Sequence, residues 1–530
     1  MAYDFAPLPP PGPAPSDRVP VAIVGAGPVG LALAIDLAQR GVGTVVFDAK
    51  DRVSNGSRAI CWAKRTLEIF DRLGIGDRML AKGVTWTVGR LFHGEEEVYA
   101  FDLLPEAGHK YPAFVNLQQY YVEDYLIERA GAFPDLIDLR FRSSVTDHAD
   151  HGDHVALKIE APDGAYDLET DYLIACDGSA SPIRKRMGLP FEGQTFDEHF
   201  LIADVEMTEN PYASDAAERH FWFEPTFHPG ESALLHKQPD DIWRIDLQLS
   251  PDADRQAEAT EERVLPRLKK MLGDTPFRMD WLSVYRFRCA RLERFVHNRV
   301  IFAGDSAHVV SPFGARGGNG GVQDADNLGW KLAAVLGGAS PALLETYDEE
   351  RGHAADENIL NSSRATTFMT PKTPIERLLR AEVLRLSHDH APARKLINSG
   401  RLSLPARYDG QRLQWGAGPL VGAALPDAPV DMVDGRRWLL EIVPKQTCLL
   451  ILGAADVSAP PDLPVLKIKA DGTPSVGTFI DTEGYMRARL GWDVAHLLRP
   501  DGHIAESLTQ ADIGPSLDRL RGRMEPVAAE

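Results

Sequence analysis

The six residues Gly25-Ala26-Gly27-Pro28-Val29-Gly30 set three glycines in the spacing G-x-G-x-x-G. That spacing suits pyrophosphate binding when a strand precedes it and a helix follows. The first glycine permits a tight turn, the second lets a pyrophosphate approach the backbone, and the third lets helix and strand pack closely. The helix N-terminus adds free N–H groups and the positive end of a dipole. Here Val19 to Val24 reads as a short buried strand, Pro28 to Arg40 as a helix, and Thr44 to Asp48 as a second strand. Asp48 stands 18 residues after Gly30, placed to hold the hydroxyl pair of a ribose. A glycine triplet alone is a weak signal and could be an ordinary tight turn. Strand, turn, helix, strand and acid in order point to a dinucleotide site.

Two further motifs repeat the pattern of an apolar strand ending in Asp and Gly. Tyr172-Leu-Ile-Ala-Cys-Asp-Gly178 is followed by Ser179 and Arg184. Val300-Ile-Phe-Ala-Gly-Asp-Ser-Ala-His308 runs into the loop Val309-Val-Ser-Pro-Phe-Gly-Ala-Arg-Gly-Gly-Asn319, and a long helix starts near 318. Within it, Gly304-x-Ser306-x-His308 is one letter short of the G-x-S-x-G nucleophile elbow. A serine hydrolase would leave the glycine fingerprint and the Asp-Gly strand unexplained. His148, His151 and His154 have an i, i+3, i+6 spacing, but Asp147, Asp150, Gly152 and Asp153 around them are turn residues. They read as a solvated hairpin tip, and no metal is expected. His308 reads as a hydrogen-bonded structural histidine rather than an acid or base.

At these residues the chain resembles the FAD-dependent aromatic hydroxylases, the single-component flavoprotein monooxygenases of the para-hydroxybenzoate hydroxylase and phenol hydroxylase type. The resemblance covers roughly residues 19–355 and is most specific from Gly304 to Asn319. The segment with Pro419 to Pro429 and Leu498-Arg-Pro-Asp-Gly502 resembles the thioredoxin-like domain of phenol hydroxylase relatives. The resemblance implies that Gly25, Gly27 and Gly30 hold the FAD pyrophosphate and Asp48 the adenosine ribose. It implies that Arg58, in Ser57-Arg58-Ala59, lies near the FAD phosphates, and Gln119 near the ribityl chain. Asp177 would be tied to FAD and the nicotinamide donor. Gly304 and Asp305 would form the second flavin turn, with Asp305 on the ribityl hydroxyls. The helix beginning at Gly317, Gly318 and Asn319 would point its N–H groups at the flavin pyrimidine edge, where reduced flavin carries negative charge.

On the substrate side, Glu218-Arg-His-Phe-Trp-Phe223 and Trp243-Arg-Ile-Asp-Leu-Gln-Leu249 read as strands of a sheet covering the flavin. A period of two puts Arg244, Asp246 and Gln248 on one face and Trp243, Ile245 and Leu247 on the other. By the resemblance, Arg244 touches the flavin and influences its movement, while Asp246, His236 and Gln238 line the substrate pocket. The family's carboxylate-binding arginine would fall at Gln238 and is missing. Tyr285, Arg286 and Arg288 could approach the same pocket. The Pro312 carbonyl would accept a hydrogen bond from the substrate hydroxyl and favour its deprotonation. In this family NAD(P)H reduces FAD, and reduced flavin takes up O2 at C4a as a hydroperoxide that hydroxylates a phenolic ring. The expected cofactors are therefore FAD, with NADPH or NADH as a transient co-substrate. The partners are a small aromatic substrate and O2. A flavin-free binding protein of the same fold is the non-enzyme alternative.

The elements that must position these residues define an α/β fold. It is an FAD-binding Rossmann-like domain of the GR2 type, with an interleaved β-sheet substrate domain, a helical segment and a C-terminal thioredoxin-like domain. The expected divisions are a flexible Pro-rich tail 1–18, FAD-binding parts 19–195 and 296–340, a substrate sheet domain 196–295, a helical segment 341–411 and the C-terminal domain 412–530. Helices are expected over 60–73, 119–130, 258–273 and 318–336, and strands within 137–175 and 196–250. The C-terminal domain lacks CxxC, so a structural or dimer-contact role in a homodimer fits it better than a redox role. The oligomeric state stays open.

The bulk properties agree with this class. The 530 residues carry 57 Lys and Arg against 77 Asp and Glu, a net charge of −20. Such a chain repels phosphate backbones, so no nucleic-acid partner is expected. Cysteines stand only at 61, 176, 289 and 448, as in a reducing compartment. The N-terminus has neither the basic start nor the apolar core of a signal peptide. The longest apolar stretch, Val19 to Ala38, is interrupted by Gly25, Gly27, Gly30 and Asp36, so no membrane span is expected. The expected location is cytoplasmic.

Overall fold

The computed structural model describes residues 3, 5–15, 18–56, 58–104, 106–212, 217–250, 252–312, 314–397, 404–416, 418–508 and 513–520, without the side chains of 195–198, 286, 515 and 519. Ser57 and Phe313 of the motifs above, and the side chain of Arg286, thus lie outside the described residues.

Short β-branched runs build the first sheet. Val300–Phe302, Gly164–Ala175, Val19–Val24, Thr44–Asp48 and Ile137–Phe141 lie side by side, all parallel, in that spatial order. A parallel sheet is covered on both faces, which is why Val300–Phe302, Val19–Val24 and the end of Gly164–Ala175 are apolar runs, while Ile137–Phe141 at the edge alternates. The helices Pro28–Gln39 and Gly317–Leu336 pack on one another, so closely that a Cβ on Gly329 would lie 2.1 Å from Asp36 Oδ2. The order has a direct consequence. Because four neighbouring strands are parallel, the glycine fingerprint, Asp48, Asp177 and the Gly304-Asp305 turn all emerge at one carboxyl edge, where open α/β sheets bind ligands.

The first half of Gly164–Ala175 instead pairs antiparallel with Val155–Ala161, and that with Ser144–Asp150. His151 and His154 lie at the tip of this hairpin, where the His151 N–H donates to the His154 carbonyl at 2.9 Å. Among the described residues no three His, Cys, Asp or Glu side chains stand together as a metal site.

A second, eight-stranded sheet carries the strands expected on the substrate side. Its order is His308–Val309, Arg278–Arg291, Glu192–Glu206, Ile242–Leu249, Ser232–Lys237, Arg219–Phe223, Val88–His93 and Glu96–Asp102. The period-two expectation holds in detail: Trp243, Ile245 and Leu247 pack with Val264 and Leu268 of the helix Glu261–Leu272. The sheet is stitched to the first at its far edge, since His308–Val309 directly follows the Gly304 turn. The hairpin at 88–102, within the segment assigned to FAD binding, adds two strands at the other edge. Residues 60–73 are not one helix: Cys61–Ala63 pairs as a strand with Phe114–Asn116, and only Lys64–Leu73 is helical.

The helices Ala342–Met369, Pro374–Asp389 and Ala391–Ile397 follow. A seven-stranded mixed sheet from Pro429–Met432 to Ile504–Leu508 closes the chain. The described part of the Pro-rich N-terminus has neither helix nor strand and lies on the first domain, with Leu8 N–H on the Asp51 carbonyl and Tyr3 against Tyr120. Among the described residues no helix is long and apolar enough to cross a membrane.

One buried acid in the last domain gives a pH-dependent expectation. Asp427 accepts a hydrogen bond from the Leu440 N–H at 3.0 Å, and burial pushes its carboxyl up to about 7 from the ordinary 3.8. The folded chain then binds this proton more tightly than the unfolded chain. Its stabilising contribution is full below the ordinary value, declines as pH rises, and is gone above the folded value. Asp427→Asn keeps the acceptor and removes the charge. The variant should melt higher than the wild type at pH 8 and equally at pH 4; an identical shift at both pH values would contradict this.

Candidate active site

A cavity of about 1100 Å³ lies between the carboxyl edge of the parallel sheet and the inner face of the eight-stranded sheet. That exceeds the ~300–1,000 Å³ of a single drug-sized ligand site, which leaves room for a dinucleotide and a second molecule. Of the residues assigned to the flavin or the substrate from the sequence, all line it except Gly30, Gly304, Gln238 and Gln248, with the Arg286 side chain undescribed.

The fingerprint glycines divide their work as the spacing requires. Gly25 has φ +112°, and a Cβ there would lie 2.2 Å from the Cys176 carbonyl oxygen. Gly30 packs the helix on the turn: its Cβ would lie 2.0 Å from the Gly25 oxygen. Gly27 has nothing within 4 Å and opens to the cavity. The following helix has Pro28 in its first turn and no side-chain cap, so its free N–H groups are left for a ligand. Asp48 accepts the N–H groups of Ala26 and Lys50, both at 2.9 Å, bracing the turn while still facing the cavity.

Arg58 and Gln119 belong to one arrangement. Gln119 Nε2 donates to Glu123 and Ser54, its Oε1 accepts the Ala59 N–H at 3.2 Å, and Glu123 accepts both N–H and O–H of Ser54. This pins the loop that carries Arg58 to the helix Gln119–Ala130. Asp177 Oδ2 caps Ile183 N–H at 3.2 Å, whereas its Oδ1 is buried without a partner. Burial raises the Asp177 carboxyl above its ordinary value.

The second turn rests on a residue that the sequence did not single out. Asp324 Oδ2 accepts the Gly304 N–H at 2.9 Å and lies 2.7 Å from His308 Nε2, while Oδ1 accepts from Arg351 Nε at 2.6 Å. Arg351 also donates to the Tyr408 hydroxyl and the Gly320 carbonyl, both at 3.0 Å. Burial works to raise the Asp324 carboxyl, and His308 and Arg351 overcome it, so the group stays below its ordinary value. Gly304 takes φ +66°, and Asp305 next to it projects into the cavity. Protein encloses Asp305 on its other sides, and this burial raises its carboxyl. The helix Gly317–Leu336 starts without a side-chain cap. The Asn319 amide is already spent on Ala63 N–H and the Cys61 and Ala315 carbonyls, so Asn319 can offer a ligand only its backbone. The Pro312 carbonyl already accepts the Ala315 N–H at 3.0 Å and retains one lone pair.

On the opposite wall, Arg244 Nε donates to Asp246 Oδ1 at 2.8 Å and its NH1 donates to the Arg58 carbonyl at 3.0 Å. The inner face of the eight-stranded sheet is thereby tied to the loop that carries Arg58. His236 lies across from Arg244 in the sheet, 3.7 Å from Asp246 Oδ2. Burial, with Arg219 and Arg244 nearby, holds His236 well below the usual histidine range, so it is neutral. Phe200, Ile202, Leu234 and Phe287 make this wall apolar. Gln238 is buried beyond the end of its strand and does not reach the cavity, against the expectation. Gln248 faces the far end of the sheet, where its Oε1 accepts the Ser232 N–H. Tyr285 and Arg288 do line the cavity. Arg219 lines it as well and was missed, although alternation along Arg219–Phe223 sets it on the face of Phe221 and Phe223.

A family model described as an FAD binding domain matches residues 18–362. The chain is 32% identical to the 12-dehydrotetracycline 5-monooxygenase/anhydrotetracycline 6-monooxygenase of Streptomyces rimosus, over 92% of this chain and 95% of that one. It is 28% identical to the 3-(3-hydroxy-phenyl)propionate/3-hydroxycinnamic acid hydroxylase of Klebsiella pneumoniae, over 97% and 96%. Among solved structures, the flavin-dependent monooxygenase PieE in complex with FAD and substrate superposes with a TM-score of 0.79 at 23% identity, covering 96% of this chain and all of that one.

Proposed function

This chain belongs to the FAD-binding flavin monooxygenases that hydroxylate aromatic compounds, and we propose that the cavity between its glycine turns and its eight-stranded sheet is where it does so. The observation that carries this reading is continuity: Gly27, Asp305 and the Gly317 helix start line the same space as Arg244, Asp246 and Pro312.

The residues suit FAD. The open backbone at Gly27 and two uncapped helix starts offer N–H groups to anionic oxygens, and the unpartnered Asp177 Oδ1 offers an acceptor. Gly25, Gly27 and Gly30 would cradle the pyrophosphate, with Arg58 beside it and Asp48 on the ribose. Gln119 acts by holding the Arg58 loop. Asp305, set by the Gly304 turn, would accept the ribityl hydroxyls. The backbone of Gly317, Gly318 and Asn319 would meet the flavin edge. When bound, FAD takes electrons from NAD(P)H and delivers one atom of O2 to the ring.

The protein positions the ring and its proton. The free lone pair on the Pro312 carbonyl accepts the substrate O–H, which orients the phenol and draws its proton away from the ring. Neutral His236 can exchange a hydrogen bond with the substrate without adding charge. Arg244, fixed by Asp246, would offer its guanidinium to the bound ring system from the cavity wall. Phe200, Ile202, Leu234 and Phe287 keep water from the reacting atoms. We read the C-terminal sheet as thioredoxin-like, on the support of its three adjacent parallel strands followed by an antiparallel pair.

The purified protein should be yellow and release FAD, not FMN, on denaturation, and with NAD(P)H and labelled O2 it should add one labelled oxygen to a phenol. Asp305→Ala leaves ribityl hydroxyls unpaired at about 1–3 kcal/mol, so FAD affinity should fall by roughly tenfold. A colourless protein that ignores added FAD would end the reading. Unchanged FAD retention by Asp305→Ala would reduce Asp305 to a turn residue.

A further inference from the structure

One arginine of the substrate wall has a buried nitrogen without an acceptor. Asp246 is taken by Arg244, and His236 is neutral. Arg219, on the strand Arg219–Phe223, lines the same cavity, yet among the described residues none of its nitrogens makes a hydrogen bond or ion pair. Its Nε is buried and unpartnered, and its guanidinium lies 5.9 Å from the centre of the Trp86 ring. Arg219 as a whole is half-buried, and arginines buried in this chain are treated differently. Arg65 meets Asp326, Arg351 meets Asp324, Arg380 meets Glu224, Arg499 meets Glu350, and Arg184 meets two carbonyls. A guanidinium nitrogen buried without an acceptor is costly, unless the acceptor arrives with a ligand.

We propose that Arg219 is the specificity residue for an anionic oxygen on the aromatic substrate, a carboxylate or an ionised enol, set away from the carbon that is hydroxylated. The inference rests on the reading of the cavity as the hydroxylation site and deepens it. Asp246 is bonded to Arg244 and not to Arg219, so an anion on the substrate would give Arg219 the acceptor it lacks. The planar fork of Arg219 suits two oxygens of one anion. The anion would sit toward Cys61 and Trp86, at the end of the wall away from Phe287, which separates the anchoring end of the substrate from its reacting ring.

The test uses the FAD-loaded enzyme and matched ligand pairs, with binding read from the change in the flavin spectrum. 3-Hydroxybenzoate against 3-hydroxybenzamide probes a carboxylate, and 4-hydroxycoumarin against 4-methoxycoumarin probes an ionised enol. The wild type should prefer the anion at least tenfold in one or both pairs, about 1.4 kcal/mol, and the pair that responds identifies the source. Arg219→Gln should abolish the preference while leaving the neutral ligand's affinity and the FAD content unchanged; Arg219→Lys should keep part of it. No preference in either pair for the wild type, or a preference that survives Arg219→Gln, would overturn the proposal. Failure of the hydroxylase reading shows separately, as FAD-loaded enzyme that makes no hydroxylated product from any phenol.

Discussion

Asp324→Ala is expected to cost about 3–5 kcal/mol of folding stability and to strip the protein of most of its FAD. Asp324 is fully buried, and its two oxygens serve the Gly304 N–H, His308 and Arg351. Alanine leaves the Arg351 guanidinium, itself 1% exposed, with the Tyr408 hydroxyl and one carbonyl but no counter-charge. The Gly304 turn also loses the acceptor that fixes Asp305 toward the cavity. Two controls separate positioning from bulk damage. Asp324→Asn retains one oxygen, and should melt closer to the wild type while binding FAD more weakly, because one amide cannot accept at both positions. Asp324→Ala with Arg351→Met removes the stranded charge, and should regain part of the lost stability without regaining FAD. Denaturant melts and FAD titrations of the three variants are the measurements. Wild-type FAD affinity in Asp324→Asn would make Asp324 a purely structural anchor.

Asp324 also marks the boundary of what the sequence discloses. The fingerprint, Asp48, Asp177 and the Gly304-Asp305 turn were legible because their chemistry is local: strand, turn and helix are consecutive, and parallel pairing then gathers them at one edge. The alternation at 243–247 was legible for the same reason. Asp324 lies in mid-helix, 20 residues from Gly304, where an acid ordinarily reads as solvated surface. Only tertiary packing turns it inward. Arg219 is similar, since its meaning lies in the partner it lacks. Cys61–Ala63 became a strand because Phe114–Asn116, more than 50 residues on, is its partner. The 88–102 hairpin carries Arg90, Glu95, Glu96 and Glu97, and its charged edge hides a strand pattern.

The second large effect belongs to the clamp between the C-terminal domain and the flavin domain. Arg499→Ala is expected to cost about 3–5 kcal/mol, since it breaks a buried pair by removing one partner. Arg499 reaches Glu350 with two parallel bonds of 2.5 and 2.9 Å and also binds Asp501, all three fully buried. Glu350 meets Lys331 and Asn327 of the helix Gly317–Leu336, each at 2.7 Å, and the Asp501 carbonyl accepts from Arg65 and Arg72. Arg351, the next residue to Glu350, is the one that holds Asp324. The clamp thus touches the same two helices that support the Gly304 turn. Its pH dependence has a defined sign. Burial works to raise the Glu350 carboxyl, and Arg499 and Lys331 hold it far below its ordinary 4.5. A depressed carboxylate contributes stability above its unfolded value, lost as pH falls toward the folded one. The gap between wild type and Arg499→Ala should therefore be full at pH 7 and narrow steadily below the ordinary carboxylate value. Denaturant melts at pH 7, 5 and 4 would measure it. A gap that stays constant across this range would mean that lost packing, rather than the Glu350 charge, sets the cost.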